Sequence, residues 1–489
     1  MILPAIQTGF RIVKTQADMT RNGYHKALLI IFLVTLPFVN PLVRGDGVAY
    51  YAYFRSMLVQ QNLRFENDWI NSPWPFVGRT VNAEGRLGAD YTATGHLPNR
   101  YSIGPSMLWA PFLVPVHIVM RALAKAGCNV RTDGFSLPYL ITAAVATALY
   151  GFLGLGVSFA LARLYVAELW AFFATLGIWL ATSLPVYLYF DPFYSHAHSV
   201  FAVAIFLGYW HRTRPERSTA QWAILGLLAG LMLNVYYLNI AMLSLPLLES
   251  LRKYWQAGRA PGHGGEALRR LFLANLIFAG MTLVAFLPTL ITRQVIYGNP
   301  LDFGYEPSSW THPELWRPLL SSNHGLLSWT PVVIPSLVGL FLLRRYDSEL
   351  ATYSLAAFVA MDYIVACHPA WHGISSFGNR FFISLTPVFI LGLAVFLQEI
   401  SRWFRRVHVA VATSALTLGA LILWNLAFIF QWGTGLVSHV GPISWRQMAY
   451  NQVNVVPLRL GSSLKAYFTH RSAMMKRIEW EDLKRARGE

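Results

Sequence analysis

An acidic residue directly after the first long apolar stretch is a candidate for acid-base chemistry. Asp46 stands between Gly45 and Gly47, where the apolar run near Leu28 to Val43 gives way to a polar segment. A carboxylate in this position can accept the proton of an attacking hydroxyl group. It can equally be the N-cap of the helix that the following residues predict. The sequence alone leaves both roles open.

Cationic side chains at the ends of other apolar stretches could stabilise a leaving phosphate. Arg380, in the segment SFGNRFF, is the preferred candidate, because a guanidinium meets phosphate oxygens in a bidentate geometry and keeps its charge in apolar surroundings. The alternative is an arginine whose chain extends along its span to the interface. His324, His372 and Arg293 are further candidates for phosphate binding.

The segment YFDPFYSHAHS carries an acidic residue, Asp191, followed by an H-x-H pair, His196 and His198. These side chains could bind a metal ion, but histidines at i and i+2 point to opposite sides of a helix. Polar contacts to a sugar or phosphate, or histidines that simply lie at the interface, are the preferred interpretations. No metal ligands are therefore assigned, and Tyr297 is a further candidate for substrate contacts.

The composition indicates which elements must position these residues. Of the 489 residues, 55% are hydrophobic and 13% are charged, whereas a soluble domain carries roughly 25% charged residues. This excludes a cytosolic enzyme, a disordered chain and a secreted disulfide scaffold. The apolar runs predict an all-α, polytopic membrane protein with about 11–13 transmembrane helices.

The charge distribution gives the orientation. Lys and Arg total 39 against 23 Asp and Glu, and many of the basic residues stand in short connectors, such as 211–218 and 401–408. Such connectors lie in the cytoplasm by the positive-inside rule, so nucleic acid is not an expected partner. Successive spans have to cross the membrane in alternating directions. This requires that the segment 105–120 lies along the membrane interface or re-enters the membrane from the same side.

The chain divides into two parts. Residues 1–430 form a transmembrane catalytic unit, whose first external loop, 44–105, is predicted to carry amphipathic juxtamembrane helices. Residues 431–489 form a basic tail that is expected to be helical and amphipathic. No glycine-rich nucleotide-binding motif follows a strand pattern, which disfavours a nucleotide-dependent enzyme.

Three segments carry a family resemblance: GDGVAYYAYFRSML, LRFENDW and NRYSIGPSMLWAPF. They resemble the opening of the GT-C superfamily of integral-membrane glycosyltransferases, in particular bacterial members related to protein O-mannosyltransferases and the lipid A aminoarabinose transferase. The resemblance covers most of the chain from about Leu28 to Phe430 and leaves out the tail. It implies that Asp46, the matching acidic residue of the first external loop, lies at the catalytic centre.

Many relatives have a second acidic residue directly after the first, where this chain has Gly47. A second carboxylate would then come from Glu66, Asp68 or Asp90, and a divalent cation, Mg²⁺ or Mn²⁺, is the one cofactor that the resemblance leaves open. Further residues of the matching loop are expected to contact substrate. These are Tyr50, Asp90, Arg100 and Tyr101.

The resemblance implies a glycosyltransferase of the cell envelope. It would move a sugar from a polyprenyl-phosphate donor to a lipid- or protein-linked acceptor, such as lipopolysaccharide, with inversion and with Asp46 as general base. The site would face the periplasm from the bacterial inner membrane.

A secondary transporter or lipid flippase is the alternative, although it would be expected to keep ionisable groups within its spans. The central parts of most predicted spans contain none. An O-antigen polymerase or ligase would be expected to use a lipid-diphosphate donor and a large outer loop late in the chain, which this sequence does not show.

Overall fold

The computed structural model describes residues 23–71, 87–88, 91–259, 264–305, 308–477 and 480. Within these ranges the structure is helical, and its β pairing is an isolated bridge between Ser375 and Val440. The α-helices in chain order are α1 (Tyr24–Thr35), α2 (Asp46–Arg55), α3 (Glu66–Asn71), α4 (Gly104–Lys125), α5 (Leu137–Ala162), α6 (Glu168–Leu180), α7 (His196–Thr213), α8 (Thr219–Val235), α9 (Ser244–Gly258), α10 (Gly264–Tyr297), α11 (Arg317–Leu320), α12 (Leu326–Trp329), α13 (Val333–Leu343), α14 (Ser348–Ala366), α15 (Thr386–Ser401), α16 (Val407–Gly433), α17 (Trp445–Asn454) and α18 (Val456–Thr469).

Short segments of other helical types join these helices. The 3₁₀-helices are Leu36–Phe38, Tyr237–Leu243 and Arg380–Leu385, and the π-helical segments are Ser56–Gln60 and Val186–Phe190. Helical turns of these types are frequent at the ends of α-helices and at functional sites. Arg380, a predicted phosphate ligand, opens one of them.

The lengths of the helices confirm an all-α membrane protein. Six of the described helices are long and apolar enough to cross a bilayer, namely α4, α5, α10, α14, α16 and the continuous helix formed by Arg380–Leu385 with α15. Shorter apolar helices are α1 with its 3₁₀ extension, α6, α8 and α13. The count of about 11–13 spans stays a prediction from the length of the apolar runs.

The basic connectors meet at one end of the bundle, which we call the basic face. Glu249 of α9 accepts hydrogen bonds from Trp210 at 2.7 Å and from Arg217 at 3.0 Å. Asp347, in the connector before α14, accepts from Tyr165 at 2.7 Å and also pairs with Arg214. Asp46 lies at the opposite end of the bundle, which we call the site face.

Helix α4 does not carry the chain to the basic face, although it is as long as a span. Its Trp109 donates a hydrogen bond to Thr147 in the middle of α5 at 2.8 Å, and His117 lies 2.8 Å from the Tyr139 hydroxyl in the first turn of α5. Helix α4 therefore runs antiparallel to the first half of α5 and ends where α5 begins. Because α4 and α5 together make one crossing, the later spans cross the bundle in the alternating directions that the basic connectors require.

Helix α15 is the central element of the bundle. It belongs to the continuous helix Arg380–Ser401, in which 83% of the most apolar 18-residue stretch is buried. Gly339 of α13 and Gly392 of α15 face each other so closely that a Cβ atom on either residue would overlap the backbone of the other helix. Small residues allow this approach in membrane helices. The crossing holds α15, and with it the segment that precedes it, in a fixed position.

The first outer loop contains helices α2 and α3, as the sequence predicts, but α2 is not a surface helix. From Gly47 to Arg55 every residue of α2 is buried, so the helix lacks the exposed face of an amphipathic segment on a bilayer. A buried ion pair between Arg55 and Asp68 joins the end of α2 to α3, and Ser56 donates a hydrogen bond to Asp68 at 2.8 Å.

The basic tail is helical where it is described and lies at the site face. The Tyr467 hydroxyl of α18 donates a hydrogen bond to the carbonyl oxygen of Phe38 at 2.6 Å, and Arg471 donates to that of Val39 at 2.6 Å. Both acceptors follow directly after α1. The tail is thus docked on the end of the first span and lies on the same side of the bundle as Asp46.

We expect Asp68→Asn to lower the free energy of unfolding by about 3–5 kcal/mol, because it leaves the Arg55 guanidinium buried without its counterion. The side chains of Arg55 and Asp68 are 2% and 3% exposed. The matched control is Asp133→Asn, which alters an exposed pair with Arg131 and should cost less than about 1 kcal/mol. Thermal and denaturant unfolding of the purified proteins measures both values, and equal losses would contradict a structural role for the Arg55–Asp68 pair.

Candidate functional site

The glycines beside Asp46 place its carboxylate. Gly45 has a φ of +51°, in the left-handed region, and a Cβ atom there would overlap the hydroxyl group of Tyr194. At Gly47 a Cβ atom would lie 2.6 Å from the Cβ of Phe193. Asp46 then opens α2, where a negative charge interacts favourably with the helix dipole. The Gly-Asp-Gly order thus lets the head of α2 approach the segment before α7.

The carboxylate of Asp46 is paired with Arg380. The Nη2 atom of Arg380 lies 2.7 Å from Oδ2 of Asp46, and the two side chains are 10% and 24% exposed. The ion pair therefore joins the first outer loop to the segment that enters the buried helix α15. Because Asp46 remains partly exposed, a substrate can reach it.

Tyr101 holds the other oxygen of this carboxylate. Its hydroxyl group donates a hydrogen bond to Oδ1 of Asp46 at 2.7 Å. Burial, followed by the charge of Asp46, raises the pKa of Tyr101 well above its usual range, so the hydroxyl stays protonated and remains a donor. Tyr50 packs beside it, with ring centroids 5.0 Å apart, and accepts a hydrogen bond from Ser195 at 2.9 Å.

Arg380 retains hydrogen-bonding capacity after pairing with Asp46. Its Nε is buried and has no hydrogen-bond partner among the described residues. The guanidinium carbon lies 5.2 Å from the ring centroid of Tyr194, a cation–π distance. An arginine held in this way can bind a second anion without leaving its position.

Aromatic and imidazole rings continue from Arg380 through the interior of the site. The ring of His196, in the first turn of α7, lies 6.0 Å from Tyr194, 5.3 Å from Tyr236 and 4.6 Å from Tyr187. Its Nδ1 is buried without a hydrogen-bond partner in the described structure. Buried polar atoms normally have partners, so this nitrogen is available to a bound molecule.

His324 and His372 form a second group near Arg380, with ring centroids 6.5 Å apart. His324 is fully buried, has a φ of +60°, and both of its ring nitrogens lack hydrogen-bond partners in the described part of the chain. Burial, then the charges of His372 and Arg380, lowers the pKa of His324 to about 3. The imidazole is therefore neutral and can donate one hydrogen bond and accept another.

The outer rim of the site is formed by the loop after α10. The Arg100 guanidinium lies 5.6 Å from the Tyr101 ring and 5.5 Å from the Tyr305 ring. Tyr305 is 40% exposed, and burial of its hydroxyl raises its pKa to about 12. Stacked aromatic and guanidinium groups at a partly open rim provide surfaces on which a sugar ring can pack.

Several predicted site residues have other partners. Arg293 is fully buried and donates to the carbonyl oxygen of Asn99 at 2.7 Å and to that of Tyr101 at 3.1 Å, which favours a structural role in holding the outer loop. Asp68 is committed to the buried pair with Arg55. Asp191 pairs with Arg44 instead of pointing to Asp46.

The H-x-H pair separates as the helix geometry predicts. Both histidines lie in the first turn of α7, but the ring of His198 faces Trp109 at 5.2 Å and Tyr150 at 5.6 Å, away from His196. In the described residues, no group of three or more His, Cys, Asp or Glu side chains has the arrangement of a metal site.

The remaining candidates lie at the edge of the site or outside the residues that the structure describes. Glu66 opens α3 and is half-buried. Tyr297 ends α10, and the Arg293 guanidinium lies 5.4 Å from its ring. Asp90 lies outside the described residues, so its prediction as a second carboxylate or substrate contact has no structural test.

Sequence reasoning did not select Tyr194, Tyr236 and Tyr305, which line the site beside Arg380 and Arg100. Tyr194 stands in the segment YFDPFYSHAHS, so the signal was present, but tyrosines are common near membrane interfaces and carry no spacing that separates a site from an aromatic belt. Tyr305 follows a loop without a recognisable pattern.

The chemistry available is that of a carboxylate base beside a fixed cation. Asp46 can take a proton from a hydroxyl group, while Arg380 and the neutral imidazoles can stabilise negative charge that develops nearby. Both groups lie at one end of a membrane bundle, where molecules with a hydrocarbon chain present their polar groups.

No protein-family model matches the sequence, and no curated protein matches it. Among solved structures, the crystal structure of ArnT from Cupriavidus metallidurans in the apo state is similar, with 15% sequence identity and a TM-score of 0.47, over 94% of this chain and 74% of that chain. ArnT is a lipid A aminoarabinose transferase of the GT-C type.

Proposed function

We propose that the protein is a membrane glycosyltransferase that uses a sugar carried on a polyprenyl phosphate. The observation that carries this proposal is the ion pair between Asp46 and Arg380 at 2.7 Å, partly open to substrate. It brings the base that a hydroxyl acceptor needs next to the cation that a leaving phosphate needs. The resemblance of the opening segments to GT-C glycosyltransferases supports the same assignment.

The reaction is a displacement at the anomeric carbon of the donor sugar. The acceptor hydroxyl loses its proton to the Asp46 carboxylate, and its oxygen forms a bond to the anomeric carbon from the face opposite the phosphate. The bond between that carbon and the phosphate oxygen breaks, and its electron pair stays on the phosphate. The products are the inverted glycoside and polyprenyl phosphate, with the proton on Asp46 until it passes to solvent.

Arg380 has two successive partners in this proposal. Before the donor binds, its guanidinium pairs with Asp46; the donor phosphate then competes for it and also meets the free Nε. Asp46 keeps the hydrogen bond from Tyr101 but loses part of its pairing with the cation, so its carboxylate can contact the acceptor hydroxyl. His324, as a neutral imidazole, and His372 contact the same phosphate.

The location of the site suits a lipid-borne donor. A polyprenyl phosphate presents its phosphate at the headgroup level of the bilayer, and Asp46 and Arg380 both stand at ends of apolar helical segments. We place this face in the periplasm of a bacterial inner membrane, since the basic connectors at the opposite end follow the positive-inside rule. The acceptor is a lipid- or protein-linked hydroxyl of the cell envelope, such as that of lipopolysaccharide.

A transporter remains the second candidate because of Asp362. This residue lies within α14, is 7% exposed, and its Oδ1 has no hydrogen-bond partner among the described residues. An ionisable group inside a membrane helix is the feature expected of a proton- or ion-coupled carrier. Sugar transfer by purified protein in detergent, without a membrane to cross, separates the two functions.

We expect Asp46→Asn to lower the rate of sugar transfer by about 100- to 10,000-fold, because the amide cannot accept the acceptor's proton. Binding of the polyprenyl-phosphate sugar should persist, since Arg380 is retained. The measurement is transfer from a radiolabelled polyprenyl-phosphate sugar, with membrane lipid extract as the source of acceptors.

Asp133→Asn, which changes an exposed aspartate away from the site, is the matched control and should transfer at the unaltered rate. Glu66→Gln tests the second predicted carboxylate and should also remain active. An Asp46→Asn enzyme with normal turnover would remove Asp46 from the mechanism, and loss of activity in Glu66→Gln would assign a second carboxylate.

For Arg380→Ala we expect the donor KM to rise about ten-fold or more, because a charge-assisted contact to phosphate is lost. The KM of the acceptor should stay within about two-fold of its original value, since no acceptor contact is assigned to this side chain. Arg380→Lys keeps the charge and should recover part of the donor affinity. If the KM of the acceptor rises while the KM of the donor stays constant, Arg380 binds the acceptor and not the donor.

A further inference from the structure

An apolar groove runs between α16 and α18 at the site face, apart from the Asp46–Arg380 pair. Its volume is about 480 Å³, and its lining includes Phe190, Leu426, Phe430 and Leu464. In the described structure Asp46, Tyr101 and Arg380 are not among the lining residues. Arg44 reaches the groove, where it is paired with Asp191.

The groove lies at the headgroup level of the bilayer. Helix α16 has 27 residues and is therefore roughly 40 Å long, whereas the hydrocarbon core is about 30 Å thick. Its last turns must extend into the headgroup region. Gln452, at the end of α17, donates a hydrogen bond to the carbonyl oxygen of Trp424 at 2.6 Å, so α18 begins beside these turns.

Helix α18 has the character of a helix that lies in the interface. Val456, Leu460, Ser463, Leu464 and Tyr467 line the groove at spacings of three and four residues, which is one face of a helix. Another apolar side chain of this helix, Leu458, is 84% exposed. An interfacial helix inserts such side chains among lipid chains.

The charge of the tail specifies the headgroup. From residue 431 to residue 477 the chain contains no Asp or Glu, and its basic residues are Arg446, Arg459, Lys465, Arg471, Lys476 and Arg477. Arg471 is bonded to the backbone after α1, but Arg459 and Lys465 are exposed. Arg459 stands four residues before Ser463, which lines the groove, so the two side chains share one side of α18.

We propose that this groove binds one anionic phospholipid of the surrounding bilayer, with a hydrocarbon chain between α16 and α18 and its phosphate on Arg459. The bound lipid fills the space under α18 and fastens the tail to the end of α1. The lipid is a structural ligand and not the reacting donor, because the Arg44–Asp191 pair stands at the groove while the catalytic pair lies outside its lining. The inference does not depend on the proposed enzymatic activity.

The experiment measures lipid binding to the purified full-length protein. The protein is exchanged into detergent micelles that contain equal amounts of phosphatidylglycerol and phosphatidylcholine, and bound lipid is counted by native mass spectrometry. We expect one phosphatidylglycerol to be retained in preference to phosphatidylcholine, by about five-fold for each basic residue that contacts the phosphate.

Two variants test the location of the lipid. Ala427→Trp fills the groove from α16 and should reduce retention of the lipid by about ten-fold, whereas Ala415→Trp, on an exposed position of the same helix, should retain it. Arg459→Gln should abolish the preference for phosphatidylglycerol. The control with equal charge change at the site face, Arg121→Gln, should keep it.

Equal retention of both phospholipids would overturn the proposal. So would a folded Ala427→Trp protein, with an unchanged melting temperature, that still retains phosphatidylglycerol. Added polyprenyl phosphate that displaces phosphatidylglycerol from the groove would assign the groove to the donor instead. If Ala427→Trp fails to fold, the two charge variants decide the outcome.

Discussion

The ion pair between Asp46 and Arg380 is the constraint around which the site is arranged. Removing water from a charge costs several kcal/mol. In partly apolar surroundings two opposite charges offset this cost by pairing with each other. Asp46 is carried by the first outer loop and Arg380 by the segment that enters the most buried helix. Two distant parts of the chain therefore have to meet at one point, and Gly45 and Gly47 permit it by letting the loop approach the residues before α7.

The buried charges of this protein fall into two groups that differ in how completely they are satisfied. Arg217 and Glu249 at the basic face, like Arg55 and Asp68 in the outer loop, direct most of their polar atoms to protein partners. Near Asp46, by contrast, the Nε of Arg380 and both ring nitrogens of His324 lack hydrogen-bond partners within the described residues. Unsatisfied buried donors are costly. Asp362 and Arg293 also carry a buried polar atom without a partner among the described residues. The combination of such atoms with a partly exposed carboxylate is therefore what marks the surroundings of Asp46 as a candidate ligand site.

Much of the architecture follows from the sequence, because hydrocarbon allows so few backbone structures. The apolar runs predict an all-α membrane protein, and the loop 44–105 contains the helices that its pattern predicts. The candidate pair Asp46 and Arg380 is also visible as two charges at the ends of apolar segments. Sequence preferred Arg380 to Arg293 but kept both as candidates for phosphate binding, and only packing shows that Arg293 is bound to backbone carbonyls. It also predicted α2 as a surface helix, because tyrosines at helical spacing look alike on a bilayer and inside a bundle.

The loop that carries Tyr305 contacts the site at its rim. Its aromatic ring stacks with Arg100 at the rim, whereas Arg380 is anchored by a helix locked through the crossing of Gly339 and Gly392. The residues of the rim can therefore vary while Asp46 and Arg380 keep their positions. Under the proposed function, exchanging this loop between homologues would change the selectivity for sugar or acceptor.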